Sequence, residues 1–261
     1  MRPAVSVGGM KLRGCLTIAT VGAMLAVGDV IQRVVIKTLL KMFPARREAV
    51  LSWWQRRLAI VLIWSVRMVG GGRFRSLPTI PSCPGVLILM NHQSLLDIPL
   101  ANLLLEDGYP RIVTRKRYSR GIPLISHMIR LYEYPVVDSN TSVKGHFETL
   151  RKVALSSEAP VLIYPEGTRS LDGQLLPFRK GALNVLLRNR TWMVYLAVAD
   201  GVLPCGQLST ILKGVHEVNC RVRVLGPFDS PADSENILDW LNEMEGRMRN
   251  ELHLLRTVPQ Q

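Results

Sequence analysis

From residue 85 onward, short and wholly apolar runs alternate with longer amphipathic ones. Gly85-Val86-Leu87-Ile88-Leu89-Met90 and Val161-Leu162-Ile163 carry no polar side chain at all. Runs of this kind are strands buried on both faces, as in a parallel sheet. The pattern predicts strands over 85–90, 111–114, 134–138, 160–165, 192–198 and 219–226. Between them it predicts helices over 94–106, 121–132, 143–156 and 179–190, the third with a Ser/Thr start signal at Thr141 or Ser142. Ser230-Pro231 opens a last helix that ends near Leu254, with proline at the first helical position. Strand and helix in alternation give an α/β fold with a mixed, largely parallel sheet flanked by helices.

The first 74 residues follow a different pattern. Lys11 and Arg13 precede an uncharged run, Gly14 to Gly28. As a helix its fifteen residues would span about 22 Å, short of the roughly 30 Å hydrocarbon core of a bilayer. Residues 32–57 are basic and amphipathic, with Trp53-Trp54 beside Arg56-Arg57, and Leu58 to Val66 is apolar on every side. Tryptophan and arginine suit the membrane–water boundary. Two short apolar helices could lie in one leaflet or form a shallow hairpin, or simply pack on the catalytic core. A secretory signal, basic at its start with small residues at Ala26 and Gly28, is the rival reading of the first run. Gly70-Gly71-Gly72 reads as a flexible joint. The expected division is a helical membrane-association region over 1–74, a catalytic domain over 75–229 and a C-terminal helix packed on it over 230–261.

Charge sharpens this division. The formal net charge is +13, and residues 1–75 hold 13 Lys or Arg against only Asp29 and Glu48. These cations flank apolar runs rather than forming a polar patch with exposed aromatics, which fits anionic headgroups better than nucleic acid. The four cysteines, Cys15, Cys83, Cys205 and Cys220, have neither metal-ligand nor redox spacing. They read as small buried hydrophobes in a reducing compartment. The histidines show no metal pattern, and no nucleotide-binding glycine loop is present.

Candidate chemistry sits where strands end, the usual ligand crevice of an α/β sheet. Asn91-His92-Gln93-Ser94-Leu95-Leu96-Asp97 follows the strand over 85–90. On one continuous helix His92 and Asp97 would point roughly 140° apart. They meet only if His92 lies on the turn and Asp97 in the first helical turn. Asp97 then fixes the imidazole tautomer and raises its basicity, with no protein nucleophile beside it. Such a pair suits deprotonation of a substrate hydroxyl; a histidine that merely packs at a strand end is the plainer reading. Tyr164-Pro165-Glu166-Gly167-Thr168-Arg169-Ser170 follows the strand over 160–165, and Phe178-Arg179-Lys180-Gly181-Ala182 comes soon after. Residues 111–130 contain six basic residues and no acid, so Arg115 and Lys116 either line the crevice or form a solvated face.

With Asn-His-x4-Asp, Pro-Glu-Gly-Thr-Arg and Phe-Arg-Lys-Gly in this order, residues 75 to 225 resemble the glycerolipid acyltransferase family, whose best-known members are 1-acylglycerol-3-phosphate (lysophosphatidate) acyltransferases. The resemblance implies acyl transfer from an acyl-CoA or acyl-carrier-protein thioester, a co-substrate rather than a cofactor, to a lysophospholipid hydroxyl at a membrane surface, with no metal and no nucleic acid. His92 would take the hydroxyl proton and Asp97 would orient it. Backbone N–H groups near the start of the 94–106 helix would support the oxyanion. Arg169 matches the arginine associated with the acceptor phosphate. Glu166 would position that loop or Arg169, unless the two form only a local ion pair, and Gly167 permits a tight turn. Thr168, Arg179, Lys180, Arg115 and Lys116 complete the expected binding set. The cytosolic origin of the acyl donors implies a catalytic domain on the cytoplasmic side. Two departures stand out: Ser139 where an arginine usually follows the strand-end aspartate, here Asp138, and Met193-Val194-Tyr195-Leu196 near the last core strand, where the family usually has a proline before a valine or isoleucine and Pro204 comes too late to match. They bear on acceptor and donor choice respectively.

Overall fold

The computed structural model describes residues 7–137, 143–231 and 234–257. Asp138, Ser139 and the helix-start signal at Thr141-Ser142 lie outside the described residues.

The sheet is built around β2 (Val86–Met90). It pairs in parallel with β6 (Val161–Ile163) on one side and with β7 (Met193–Asp200) on the other. β3 (Arg111–Ile112) extends the sheet beyond β6, and β8 (Asn219–Asp229) runs antiparallel to β7. β1 (Arg73–Phe74) closes the far edge, parallel to β8, so the order is β1-β8-β7-β2-β6-β3. The sheet therefore starts just before the boundary expected after residue 74. A separate parallel pair joins β4 (Thr114–Arg115) to β5 (Val136–Val137). The strand expected over 111–114 is thus two short pieces with different partners, and the one expected over 134–138 is only two residues long.

Alternation along β2 explains why it is apolar throughout. Val86, Ile88 and Met90 face one core and Leu87 and Leu89 the other. The second core is covered by α6 (Val143–Ser156), α7 (Lys180–Asn189) and α9 (Ile237–Thr257). The first is covered by α1 (Val7–Ile31), α2 (Lys37–Met42), α3 (Arg47–Met68), α4 (Asp97–Leu104) and α5 (Ile125–Leu131). Ile36, Leu51 and Val66 are as deeply buried as the strands, so the N-terminal helices belong to the same core as the sheet.

Several expectations need correction. The N-terminal apolar run is not a short helix, because α1 continues through a π-helical turn (Gln32–Ile36) into α2. Asp29 and Arg33, which interrupt the apolar pattern, form an i,i+4 ion pair at 2.8 Å that lets the helix run on. Leu58 to Val66 is likewise part of a 22-residue helix rather than a separate short one. The three glycines are a packed joint: a side chain on Gly70 would meet Val66 O at 2.6 Å, and Gly72 abuts Val218. The last helix starts at Ile237, well beyond Pro231. Cys205 and Cys220 are buried as expected, but Cys15 is exposed on α1. One helix has no counterpart in the pattern, α8 (Leu208–Gly214). It packs so closely on α1 that a side chain at Gly14 would lie 2.5 Å from the Leu212 backbone.

Candidate active site

β2 ends in a residue that holds the sheet at the point where the chain leaves it. Asn91 donates through Nδ2 to Ala199 O (2.8 Å) and accepts from Ala199 N at Oδ1 (2.7 Å). His92 therefore emerges at the carboxyl end of the central strands. Its backbone is held from both sides: the N–H donates to Glu166 Oε1 (2.7 Å) and the carbonyl accepts from Ser170 N (2.8 Å).

The helix expected from residue 94 begins instead at Asp97, because that carboxylate organises the turn before it. Asp97 Oδ2 accepts the N–H groups of Gln93 and Ser94 and the Nδ1 of His92, each at 2.7 Å. With Asp97 fully buried and His92 partly open to the cavity, the proton belongs on Nδ1. Nε2 is left as the ring nitrogen able to accept a proton. The ring stacks on Tyr164, with centroids 4.0 Å apart and planes at 18°, which fixes its plane as well as its tautomer. Asp97 Oδ1 is buried without a hydrogen-bond partner among the described residues. The N–H groups expected to form an oxyanion hole are already engaged: Gln93 and Ser94 by Asp97, Leu95 by Cys205 O and Leu96 by Ser94 Oγ.

Glu166 does not pair with Arg169. Its second oxygen accepts Leu176 N (2.8 Å), so one carboxylate joins the histidine turn to the loop before α7. Burial pushes its pKa up to about 7, and the N–H groups of Leu176 and His92 offset this only in part. The folded pKa lies above the ordinary value of 4.5. Stability from this group is therefore full below about 4.5 and is lost as pH rises through about 7. Glu166→Gln should remove that slope from urea unfolding measured across the window. It should also destabilise the protein by about 1–3 kcal/mol, because an amide NH2 facing one of the two N–H donors leaves it unpaired. An unchanged slope would mean that another group titrates there.

Arg169 donates to Gly206 O, tying its loop to the turn that carries Cys205. Gly167 has φ +67°, and a side chain there would lie 2.7 Å from Arg179 Cδ. Arg115 donates to the Gly167 carbonyl from the other side. Burial, with the charges of Arg117 and Arg179, lowers the Arg115 pKa; Arg115 and Arg179 both reach Gly167. Thr168 lines the same wall. Lys180 also reaches the cavity but donates to Asn242 of α9. Lys116 is exposed and off the cavity, which its neighbour Arg117 lines instead. Adjacent residues in the tight turn at Lys116–Tyr118 point to different sides.

These groups open on one cavity of about 1390 Å³. Its apolar lining includes Leu25 of α1, Leu58 and Leu62 of α3, and Leu124 and Met128 at α5. Arg115, Arg117, Arg169, Arg179, Lys180 and Lys213 also line it, and Glu217 is the only carboxylate on its wall among the described residues. No cluster of metal-binding side chains occurs among the described residues.

Residues 73–199 match the family model Acyltransferase, and the dyad and both loops lie within that span. Just under half of the chain is thus similar to this acyltransferase family. A 1-acyl-sn-glycerol-3-phosphate acyltransferase of Cocos nucifera is 33% identical over 108 residues, covering 40% of this chain and 34% of that protein. One from Helicobacter pylori is 36% identical over 101 residues, covering 37% and 40%. The human enzyme named 1-acyl-sn-glycerol-3-phosphate acyltransferase beta is 33% identical over 97 residues, covering 37% and 34%. The chain thus spans between a third and two fifths of the length of these relatives. The crystal structure of the 1-acyl-sn-glycerophosphate (LPA) acyltransferase PlsC from Thermotoga maritima superposes with a TM-score of 0.55 at 17% identity. It covers 94% of this chain and 99% of its own, so the likeness of fold extends to the N-terminal helices.

Proposed function

We propose that the protein transfers a fatty acyl group from an acyl thioester to the free hydroxyl of lysophosphatidate, giving phosphatidate. The observation that carries this reading is a buried-aspartate–histidine pair opening on a cavity lined by many apolar side chains and by six cations. His92 Nε2 takes the proton of the acceptor hydroxyl as its oxygen attacks the thioester carbonyl. Asp97 balances the imidazolium that forms. The tetrahedral intermediate collapses, its carbon–sulfur bond breaks, and the leaving thiolate takes the proton from His92. The oxyanion of that intermediate develops beside these cations rather than in a ring of N–H groups. The donor is an acyl-CoA or acyl-carrier-protein thioester, and no metal or nucleic acid takes part.

The test is acyl transfer by the purified full-length chain against a panel of lysolipids, with both donor types. Phosphatidate formation supports the reading. Transfer only to a lysolipid without a phosphomonoester, or to a lyso-aminolipid, replaces the acceptor, and no transfer to any member removes the enzymatic reading.

The same proposal seats the chain on a membrane through α1 and α3, with the catalytic domain on the cytoplasmic side. The helix over Gly9–Met42 is 34 residues long and contains an 18-residue stretch with a mean hydropathy of 1.8, long and apolar enough to cross a bilayer. Its inner face, however, packs on α8 and walls the cavity, while Val30, Val34, Trp53 and Trp64 are each about half exposed or more. This outward apolar face fits insertion into the interface. Deleting residues 1–70 would also remove Leu51 and Val66 from the core, so point changes read the face more cleanly. Val30→Asp with Val34→Asp should cut vesicle co-sedimentation several-fold without altering thermal unfolding. High salt should release little wild-type protein, since buried apolar area is not screened. Complete release by salt would leave only an electrostatic attachment.

A further inference from the structure

Two helices each bring one polar side chain to an otherwise apolar part of the cavity. On α3 the lining residues are Gln55, Leu58, Ala59 and Leu62, spaced as a single helical face. On α4 they are Ile98, Pro99 and Asn102, spaced in the same way. Gln55 and Asn102 meet where α3 packs on α4, and Tyr134, just after α5, joins them. All three side chains are buried, and all three line the cavity. None of them takes part in the proton transfer derived above.

Their hydrogen bonds leave donors over. Gln55 Nε2 donates both to Asn102 Oδ1 and to Tyr134 Oη (2.7 Å). This holds the Asn102 amide by its oxygen and uses the Tyr134 hydroxyl as an acceptor. Asn102 Nδ2 and the Tyr134 O–H proton then have no acceptor among the described residues. Gln55 Oε1 is buried with no partner at all among them. Unpaired polar groups in an apolar surrounding cost free energy, and folded proteins keep few of them. Three in one cluster on a cavity wall mark a place that a ligand completes. No charged side chain bonds to the cluster, so its complement is a neutral oxygen rather than an anion. A hydroxyl, which accepts and donates at once, fits best. Leu58, Leu62 and Ile98 beside it require that this hydroxyl be carried on hydrocarbon.

We propose that the Gln55–Asn102–Tyr134 cluster selects an acyl chain that carries a hydroxyl within its length, an inference that rests on reading the cavity as the seat of an acyl chain. The hydroxyl oxygen accepts from Asn102 Nδ2 and the Tyr134 O–H. An unsubstituted chain at the same place leaves both donors dry and unpaired, which is the basis of selection. Asn102 lies five residues after Asp97 on α4, about 7–8 Å along the helix axis. The hydroxyl is therefore one borne along the chain, not one beside the reacting carbonyl. The chain belongs either to the incoming thioester or to the lysolipid acceptor.

The experiment gives the full chain a saturated acyl thioester in competition with its monohydroxylated positional isomers, and reads the product ratio by mass spectrometry. A second arm keeps the donor saturated and places the same hydroxyls on the chain of the lysophosphatidate acceptor. In one arm, wild type should favour one isomer or two adjacent ones over the saturated chain by about tenfold. The arm that shows this identifies whose chain occupies the cluster. Asn102→Leu should reverse the preference, because the hydroxyl then enters an apolar site. Tyr134→Phe, a smaller change that serves if Asn102→Leu fails to fold, should reduce it several-fold. Each ratio is read within one protein, so a general loss of activity does not move it. If no thioester is used at all, the acyl-transfer reading fails, and the same ratio is then read as binding of the radiolabelled free fatty acids in detergent. Equal use or equal binding of all isomers and the saturated chain by wild type overturns the proposal and leaves acyl transfer standing. So does a preference kept unchanged in both variants.

Discussion

His92→Ala should abolish acyl transfer while leaving thermal unfolding close to that of the wild type. The ring lies at the edge of the cavity, and the backbone ties to Glu166 and Ser170 that hold the turn do not use the side chain. The loss should therefore be chemical rather than structural, on the order of the 10²–10⁴-fold effect of a positioned general base. Asp97→Asn is a finer instrument. Three donors converge on Oδ2, so an asparagine would turn its carbonyl oxygen toward them and keep the Nδ1–H tautomer. It would then lack only the charge that balances the imidazolium, and its amide would be buried where Oδ1 has no partner. kcat should fall at least about tenfold, with a loss of stability of about 1–3 kcal/mol. Retention of more than about a tenth of the wild-type rate by His92→Ala would show that another group takes the proton.

The parts of this site that are local in sequence were legible in it. An apolar strand, a histidine at its end and an aspartate in the next helical turn form a single short stretch, and its geometry follows from the period of a helix. The helix over Val143–Ser156 matches the expected span, because its amphipathic period is strong and its neighbours are simple. What the sequence concealed is long-range. Glu166 acts on His92 across 74 residues and Asn91 on Ala199 across 108, and no pattern along the chain links such pairs. For that reason Glu166 reads from sequence as positioning its own loop or Arg169, when in the structure it joins the His92 turn to Leu176. The state of the N–H groups of residues 93–96 was hidden for a related reason: they form a turn bonded to Asp97, Cys205 and Ser94 rather than the start of the helix. α8 left one signal that could have been used, a Gln207/Thr210 capping box ahead of an apolar pair. Charge misled at the N-terminus, where Asp29 and Arg33 read as the end of an apolar segment but neutralise each other one helical turn apart.

The last expected result concerns the cations that line the cavity. Arg169→Ala should lose about tenfold or more in kcat/KM toward lysophosphatidate, since a charged hydrogen bond is worth roughly 1.5–3 kcal/mol. Arg169→Lys should recover only part of this, keeping the charge but not the fork. The structure gives Arg169 a second task, because its guanidinium also donates to Gly206 O. Gly206 belongs to the turn whose Cys205 carbonyl accepts Leu95 N, three residues beyond His92. Loss of that tie would disturb the base itself, whatever the acceptor. The two tasks separate when kcat/KM is measured on lysophosphatidate and on an uncharged monoacylglycerol at fixed salt. A loss confined to lysophosphatidate assigns Arg169 to the phosphate. An equal loss on both acceptors assigns it to the catalytic turn, and the phosphate then falls to Arg115 and Arg179, which converge on Gly167. In that case Arg179→Ala, whose side chain is exposed and braces no turn, should show the selective loss that Arg169→Ala does not.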